Sequence, residues 1–170
     1  LKRLVVIIAA VALLPKLSGW AEYSRTVSAE NVIENRGGKV LLRARSGLSK
    51  RIEVFAVKHG AEPDIAPELA ELISVHEHPR VLAAIAAKES GFNLSARGAA
   101  GEVGAYQIIP KLHGHPGRTW DSQTKAAERL LNELVSDANG KLEPAVRHYN
   151  GAGPKAVKYA KHVLTLAKSI

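Results

Sequence analysis

The segment Pro79–Phe92 reads PRVLAAIAAKESGF, and one of its residues is out of keeping with its neighbours. Leu82, Ile85, Ala86 and Glu89 stand three, four and seven residues apart, so a helix brings them to one face. The first three are apolar. Glu89 is therefore expected at the C-terminal end of a stripe that belongs in a core. An ionised carboxylate there loses its hydration, and the negative end of the helix dipole adds to the cost. Both effects favour the protonated form and raise the pKa. A carboxylic acid that keeps its proton near neutral pH can give it to a departing oxygen as a general acid. The bland alternative is a glutamate at a frayed helix end, turned to solvent. Helix position alone leaves both readings open.

Other chemistry finds no support in the spacing. His76-Glu77-His78 and His113-Gly114-His115 lack the two histidines four apart on a helix, with glutamate between, that a zinc protease needs. They read as loop or surface residues. Gly151-Ala152-Gly153-Pro154 lacks the Lys-Ser/Thr pair of a phosphate loop. Ser90 has no His and Asp at spacings that suggest a triad. Cysteine is absent, which excludes disulfides, thiolate nucleophiles and iron–sulfur clusters. No metal and no cofactor is expected.

The elements that must position Glu89 are mostly helical. Asp64 to Val75 predicts a helix with Ile65, Leu69, Leu72 and Ile73 inward. Pro79 stands where the first turn of the next helix should begin, and Gly91 where it should stop. Thr124 to Asp137 carries Ala127, Leu130, Leu131, Leu134 and Val135 on one stripe. Pro144 opens a short helix ending at Asn150-Gly151, and Pro154 opens the last, with Val157, Ala160, Leu164 and Ala167 on one face. Between them, residues 93–117 are glycine-rich with short β-prone pieces. The fold class expected is mainly α, a helical domain with a small irregular or β lobe.

Upstream the signals are weaker. Asn35-Arg36-Gly37-Gly38 marks a turn or loop. Ser49 to His59 fits a helix with Ser49 as N-cap, Ile52, Phe55 and Ala56 on one side and Gly60 as terminator. A hairpin pairing Lys39–Arg45 with Arg51–Lys58 competes with it. Residues 22–62 are read as an N-terminal extension, either a docking segment or extra packing, and 63–170 as the catalytic domain.

Residues 1–21 read as a secretory signal peptide. Lys2 and Arg3 precede the apolar run Leu4 to Leu14, which Pro15 breaks, and Gly19-Trp20-Ala21 offers small residues for cleavage. The run is roughly half of the ~20 residues a spanning helix needs. An uncleaved segment is the one membrane attachment expected. A periplasmic or extracellular location follows. The net charge of +8 permits an anionic partner, and losing Lys2, Arg3 and Lys16 lowers it. Aromatics are 5% of residues and no basic cluster is interleaved with them, so nucleic acid is not expected. With 46% hydrophobic and 24% charged residues, wholesale disorder is excluded too.

Three ordered motifs then carry a resemblance. Glu89-Ser90-Gly91-Phe92-Asn93 closes a helix; Gly101-Glu102-Val103-Gly104-Ala105-Tyr106-Gln107 leads through Ile108-Ile109 to Pro110; Tyr149-Asn150-Gly151 follows, with Tyr159 beyond. From about Ala66 to Ile170 the chain resembles the soluble lytic transglycosylases, relatives of goose-type lysozyme. It departs from them at Ala105-Tyr106, where Leu-Met is usual, and in the short stretch between Pro110 and Thr124.

The resemblance implies a lysozyme-like fold with a saccharide cleft. It also implies cleavage of the β-1,4 bond between N-acetylmuramic acid and N-acetylglucosamine in peptidoglycan glycan strands. Most glycosidases use two carboxylates. These enzymes are implied to use one, here Glu89. It protonates the leaving oxygen, and it deprotonates the muramyl 6-hydroxyl that attacks C1 to leave a 1,6-anhydro end. Tyr149 is implied to lie across from Glu89 and orient its carboxyl. Ser90 and Gln107 are implied to bind sugar, Tyr106 to supply an apolar wall, and Asn150 and Tyr159 to complete the groove. Glu102 is read as exposed or bracing its loop; as a base it would make the enzyme an inverting hydrolase. Competing readings are a lysozyme-like muramidase, a non-catalytic wall-binding scaffold, and a wall-opener serving envelope-spanning machinery.

Overall fold

Helix starts and stops are written into the chain by side chains that satisfy the first free N–H groups and by residues that tolerate left-handed backbone. In the computed structural model these signals define the architecture. It describes residues 31–36, 39–44 and 46–170, with side chains from 46 onward. The signal-peptide reading of 1–21 and most of the upstream extension lie outside the described residues.

Strands β1 (Asn31–Arg36) and β2 (Lys39–Ala44) pair antiparallel, Asn31 opposite Ala44 and Arg36 opposite Lys39. Lys39 onward thus pairs upstream, not with Arg51–Lys58. Those residues belong instead to helix α1 (Gly47–Lys58). Its N-cap is Ser46, three residues before the expected Ser49, and the Ser46 hydroxyl accepts from the Ser49 N–H at 3.0 Å. Ser49 itself is buried.

Helices α2 (Ala66–Ser74), α3 (Pro79–Ser90), α4 (Pro110–His113), α5 (Trp120–Asp137), α6 (Leu142–Tyr149) and α7 (Gly153–Lys168) follow. Proline occupies the first turn of α2, α3, α4 and α7, where its missing N–H costs nothing. Helix α5 starts four residues before the expected Thr124. Thr119 caps it, accepting from Ser122 N–H, while the Ser122 hydroxyl accepts from Thr119 N–H. Serine does here what glutamate does in the commoner capping box.

One core joins α1, α2, α3, α5, α6 and α7. Ile52, Phe55 and Ala56 of α1 pack in it with Leu69 and Ile73 of α2, Leu82 and Ile85 of α3, Leu131 of α5, Val146 of α6 and Val163 of α7. Residues 47–58 thus contribute packing to the core. Two expected core positions are exposed. Ile65 is 39% accessible because it is the N-cap of α2, outside the helical period, and Val157 is 48% accessible. In α7 the buried row is Ala156, Tyr159, Ala160, Val163 and Ala167, a stripe turned one residue from the expected one.

Phe55, Phe92 and Trp120 form an aromatic chain, with ring centroids 6.4 and 6.5 Å apart, across the C-terminal side of α3. There Gly91 and Phe92 are both left-handed, and the Phe92 N–H reaches back to Ala86 O. This turn ends α3 at Ser90 and sends Phe92 inward. Gly60 faces it so closely that a Cβ would stand 2.7 Å from Gly91 O. The ends of α1 and α3 are thereby held backbone to backbone. The expected small β lobe is residues 93–109, irregular apart from isolated bridges Arg97–Val103 and Val103–Ile108. Among the described residues, no helix is long and apolar enough to cross a membrane.

Candidate active site

Helix α3 buries Val81 through Ala86 in one run. Glu89 comes one turn later on the face of Leu82, Ile85 and Ala86, and it is half-buried rather than turned to bulk solvent. The Tyr159 hydroxyl of α7 donates to its Oε1 at 2.5 Å, across 70 residues of sequence. Burial raises the Glu89 pKa above the ordinary carboxylate value. The Tyr159 hydrogen bond and the Lys88 ammonium pull against that rise, and the charge of Glu102 adds to it. Tyr159, 6% accessible, is pushed far up by burial and by the Glu89 charge, so it stays a donor. The result is one carboxyl, poised to hold a proton, with its orientation set by a phenol.

The tyrosine that meets Glu89 is therefore Tyr159, not Tyr149. The Tyr149 hydroxyl donates to Tyr106 O at 3.0 Å and ties the end of α6 to the glycine-rich lobe. Tyr149 is still near enough to feel the Glu89 charge, which with burial raises its pKa. The swap has a plain cause: Tyr149 closes α6 and faces the lobe, while Tyr159 is nearly two turns into α7, on the row packed against α3.

Other expected groove residues are spent on the scaffold. Tyr106 is 1% accessible, and its hydroxyl pairs with Thr124 Oγ1 at 3.1 Å; it fills the core, and its ring is no groove wall. The Ser90 hydroxyl donates to Ala105 O at 2.8 Å and accepts from Asn93 N–H at 3.0 Å. It clamps the end of α3 to the lobe. Ser90→Ala is accordingly expected to lower stability by about 1–2 kcal/mol, read by thermal unfolding, with KM unchanged within about twofold. Gln107 has left-handed backbone, and its amide donates to Gly104 O at 2.8 Å. Its side chain and that of Glu102 both lie against Gly98. Glu102 accepts from Ala100 N–H at 2.9 Å, a bracing contact. Asn150 is exposed and lines a cleft with Tyr159.

The structure adds a residue that sequence reasoning missed. Gln123 is 3% accessible; its Oε1 accepts from Ala105 N–H at 2.7 Å, and its Nε2 donates to Leu94 O and Gly117 O at 3.1 and 3.2 Å. One side chain thus pins two stretches of the lobe and the turn that leads into α5. Extending the α5 stripe back four residues from Ala127 would have found this polar residue on an apolar face. His76, expected at the surface, is 10% accessible and pairs with Glu128 at 2.9 Å, joining the α2–α3 turn to α5. That pair, together with the Glu77 N–H, holds Glu128 below the usual carboxylate range despite burial. Among the described residues no group of three or more His, Asp or Glu is arranged to hold a metal ion.

The family model described as Transglycosylase SLT domain matches residues 73–166, more than half of the chain and every element that carries this site. No curated protein and no solved structure matches.

Proposed function

The chain belongs to the transglycosylase SLT domain family, whose members are peptidoglycan lytic transglycosylases, and from that premise we propose that Glu89 cleaves the MurNAc–GlcNAc bond as a single acid and base. The supporting observation is the half-buried Glu89 carboxyl held by the Tyr159 hydroxyl, with a raised pKa. In the first step the Glu89 proton passes to the glycosidic oxygen as the C1–O bond breaks. In the second the muramyl 6-hydroxyl bonds to C1 and its proton returns to Glu89. The acid is regenerated and a 1,6-anhydro end is left. The attacking hydroxyl belongs to the same sugar, so no water has to be positioned and activated. An exported site of action goes with this substrate, by way of the leader read at 1–21.

Digestion of purified peptidoglycan followed by mass spectrometry tests the proposal. Anhydromuramyl ends are the expected product. Ordinary reducing ends would replace it with a hydrolase in which Glu102, whose charge reaches Glu89, serves as base.

The pH profile gives a second test. The reacting form carries the proton, so activity falls as pH rises through the Glu89 pKa. Tyr159 stabilises the ionised form. Tyr159→Phe should therefore move the alkaline limb of the pH–rate profile upward, while kcat falls roughly tenfold from the lost charge-assisted hydrogen bond. A limb that stays in place or moves down would contradict the assignment.

A further inference from the structure

Arg97 and Val103 are bridged antiparallel, and the Gly98 N–H donates to Glu102 O at 2.9 Å. Successive residues of such paired backbone point to opposite sides. Arg97 and Val103 therefore share one face of the lobe. Gly98, Glu102 and the Gln107 side chain that lies against Gly98 share the other. The charge of Glu102 reaches Glu89, so the second face is the catalytic one. On the first lies a separate cleft of ≈ 370 Å³, lined by Leu94, Arg97 and Val103, by His115 and Arg118 of the turn leading into α5, and by Gln123. Lys88 and Glu102, the charges that act on Glu89, do not line it.

The hydrogen-bonding character of this cleft is one-sided. Leu94 O and Gly117 O already accept from Gln123 Nε2, Gln123 Oε1 from Ala105 N–H, Ala96 O from Gly104 N–H and Val103 O from Ile108 N–H. The donors are unspent. Among the described residues neither Arg97 nor Arg118 is in an ion pair, and no acidic residue lines the cleft. His115 Nδ1 accepts from Gly117 N–H at 3.0 Å, so the hydrogen of the neutral ring is on Nε2, a further donor. Two guanidiniums on one concavity repel each other, and an anion seated between them relieves that repulsion. The ligand that matches is negative, accepts only, and offers more oxygens than the two of a carboxylate. Phosphate meets two planar forks and an imidazole at once. Leu94 and Val103 leave an apolar wall for the carbons it esterifies. We propose that Arg97, Arg118 and His115 form a phosphate-ester site of the glycerol phosphate class on the non-catalytic face of the lobe, which holds its ligand while the groove at Glu89 stays open.

The full chain is titrated calorimetrically with glycerol 3-phosphate and with acetate at matched ionic strength. Glycerol 3-phosphate is expected to bind about tenfold more tightly. Both arginines are exposed, so Arg97→Gln with Arg118→Gln should leave the fold intact and bring the two affinities together. Lys155→Gln with Lys158→Gln removes the same charge from α7 and should leave the preference in place. Glu89→Gln should bind glycerol 3-phosphate as the parent does, to within about twofold. Acetate binding as tightly as the phosphate ester would overturn the proposal. So would a preference that survives in the arginine pair, an equal loss in the lysine pair, or a large change on Glu89→Gln, which would place the ligand at the acid. Sedimentation with phosphatidylglycerol vesicles, against phosphatidylcholine vesicles, then separates the sources. Vesicle binding lost with the arginine pair assigns the phosphate of a lipid headgroup; vesicle binding indifferent to the arginines, with the titration result intact, assigns a soluble phosphate ester, and either result supports the site.

Discussion

Glu89→Gln is expected to cut the release of anhydromuramyl products by about a thousandfold, within the roughly 10²–10⁴ that a positioned general acid contributes. The amide has the shape of the carboxyl and can still accept from the Tyr159 hydroxyl, so the packing of α3 on α7 survives. It cannot give a proton to the leaving oxygen or take one from the 6-hydroxyl. Both halves of the reaction fail together. The fold should not suffer. Burial raises the Glu89 pKa in the folded chain, so the folded state binds more protons than the unfolded one, and stability falls as pH rises from the ordinary carboxylate range through the folded pKa. A glutamine side chain, which does not ionise, carries no such penalty. At neutral pH the variant should unfold at or above the temperature of the parent, and its advantage should vanish on acidification below about pH 4. An inactive variant that melted early would speak for a structural role. A variant retaining most of the parent's activity would end the single-carboxylate mechanism.

The largest stability effect is expected from Gly104→Ala. Gly104 has φ +80°, and a Cβ there would fall inside contact distance of Gln123 Oε1. Gln123 cannot step aside, since it is buried and its three hydrogen bonds pin Ala105, Leu94 and Gly117. Left-handed backbone on a non-glycine residue costs about 1 kcal/mol, and a displaced buried amide loses roughly 1–3 kcal/mol more. A total of about 3 kcal/mol lowers Tm by roughly 10 °C. Gly101→Ala separates the two causes. Its φ is +93° but a Cβ there meets nothing within 4 Å, so only about 1 kcal/mol is expected. Equal losses at the two positions would mean that backbone strain, not collision with Gln123, accounts for the need for glycine. The lobe carries Gln107 and Glu102, so activity should drop with stability in Gly104→Ala and hold in Gly101→Ala.

The apolar stripe that ends at Glu89 is legible in the amino-acid order alone, through the period of the helix; that its carboxyl is half-buried against Tyr159 and not turned to solvent is read from the structure. Helices α2, α3, α6 and α7 are legible for a similar reason, since proline in a first turn and glycine past a last turn are local events. The start of α5 is not, because its cap pairs Thr119 with Ser122, and Thr-x-x-Ser is a common sequence without a glutamate to flag it. The upstream hairpin escapes too. Val40 to Leu42 suits a strand with any partner, and the choice between Asn31–Arg36 and Arg51–Lys58 depends on where the rest of the chain goes.

Side-chain period along a helix is set by bonds three and four residues apart, and that is why the amino-acid order alone determined helices α2, α3, α6 and α7, the apolar stripe that Glu89 closes and the kinship carried by Glu89-Ser90, Gly104–Gln107 and Tyr149-Asn150. What it could not determine is which groups meet across the interior. That Tyr159 rather than Tyr149 donates to Glu89, that Tyr106 spends its hydroxyl on Thr124, that Gln123 pins the lobe and that three lysines and a histidine share one cleft all depend on the rotation of one helix against another. A turn of one residue, about 100° in a helix, is enough to exchange partners, and only close packing of the whole core selects among such turns.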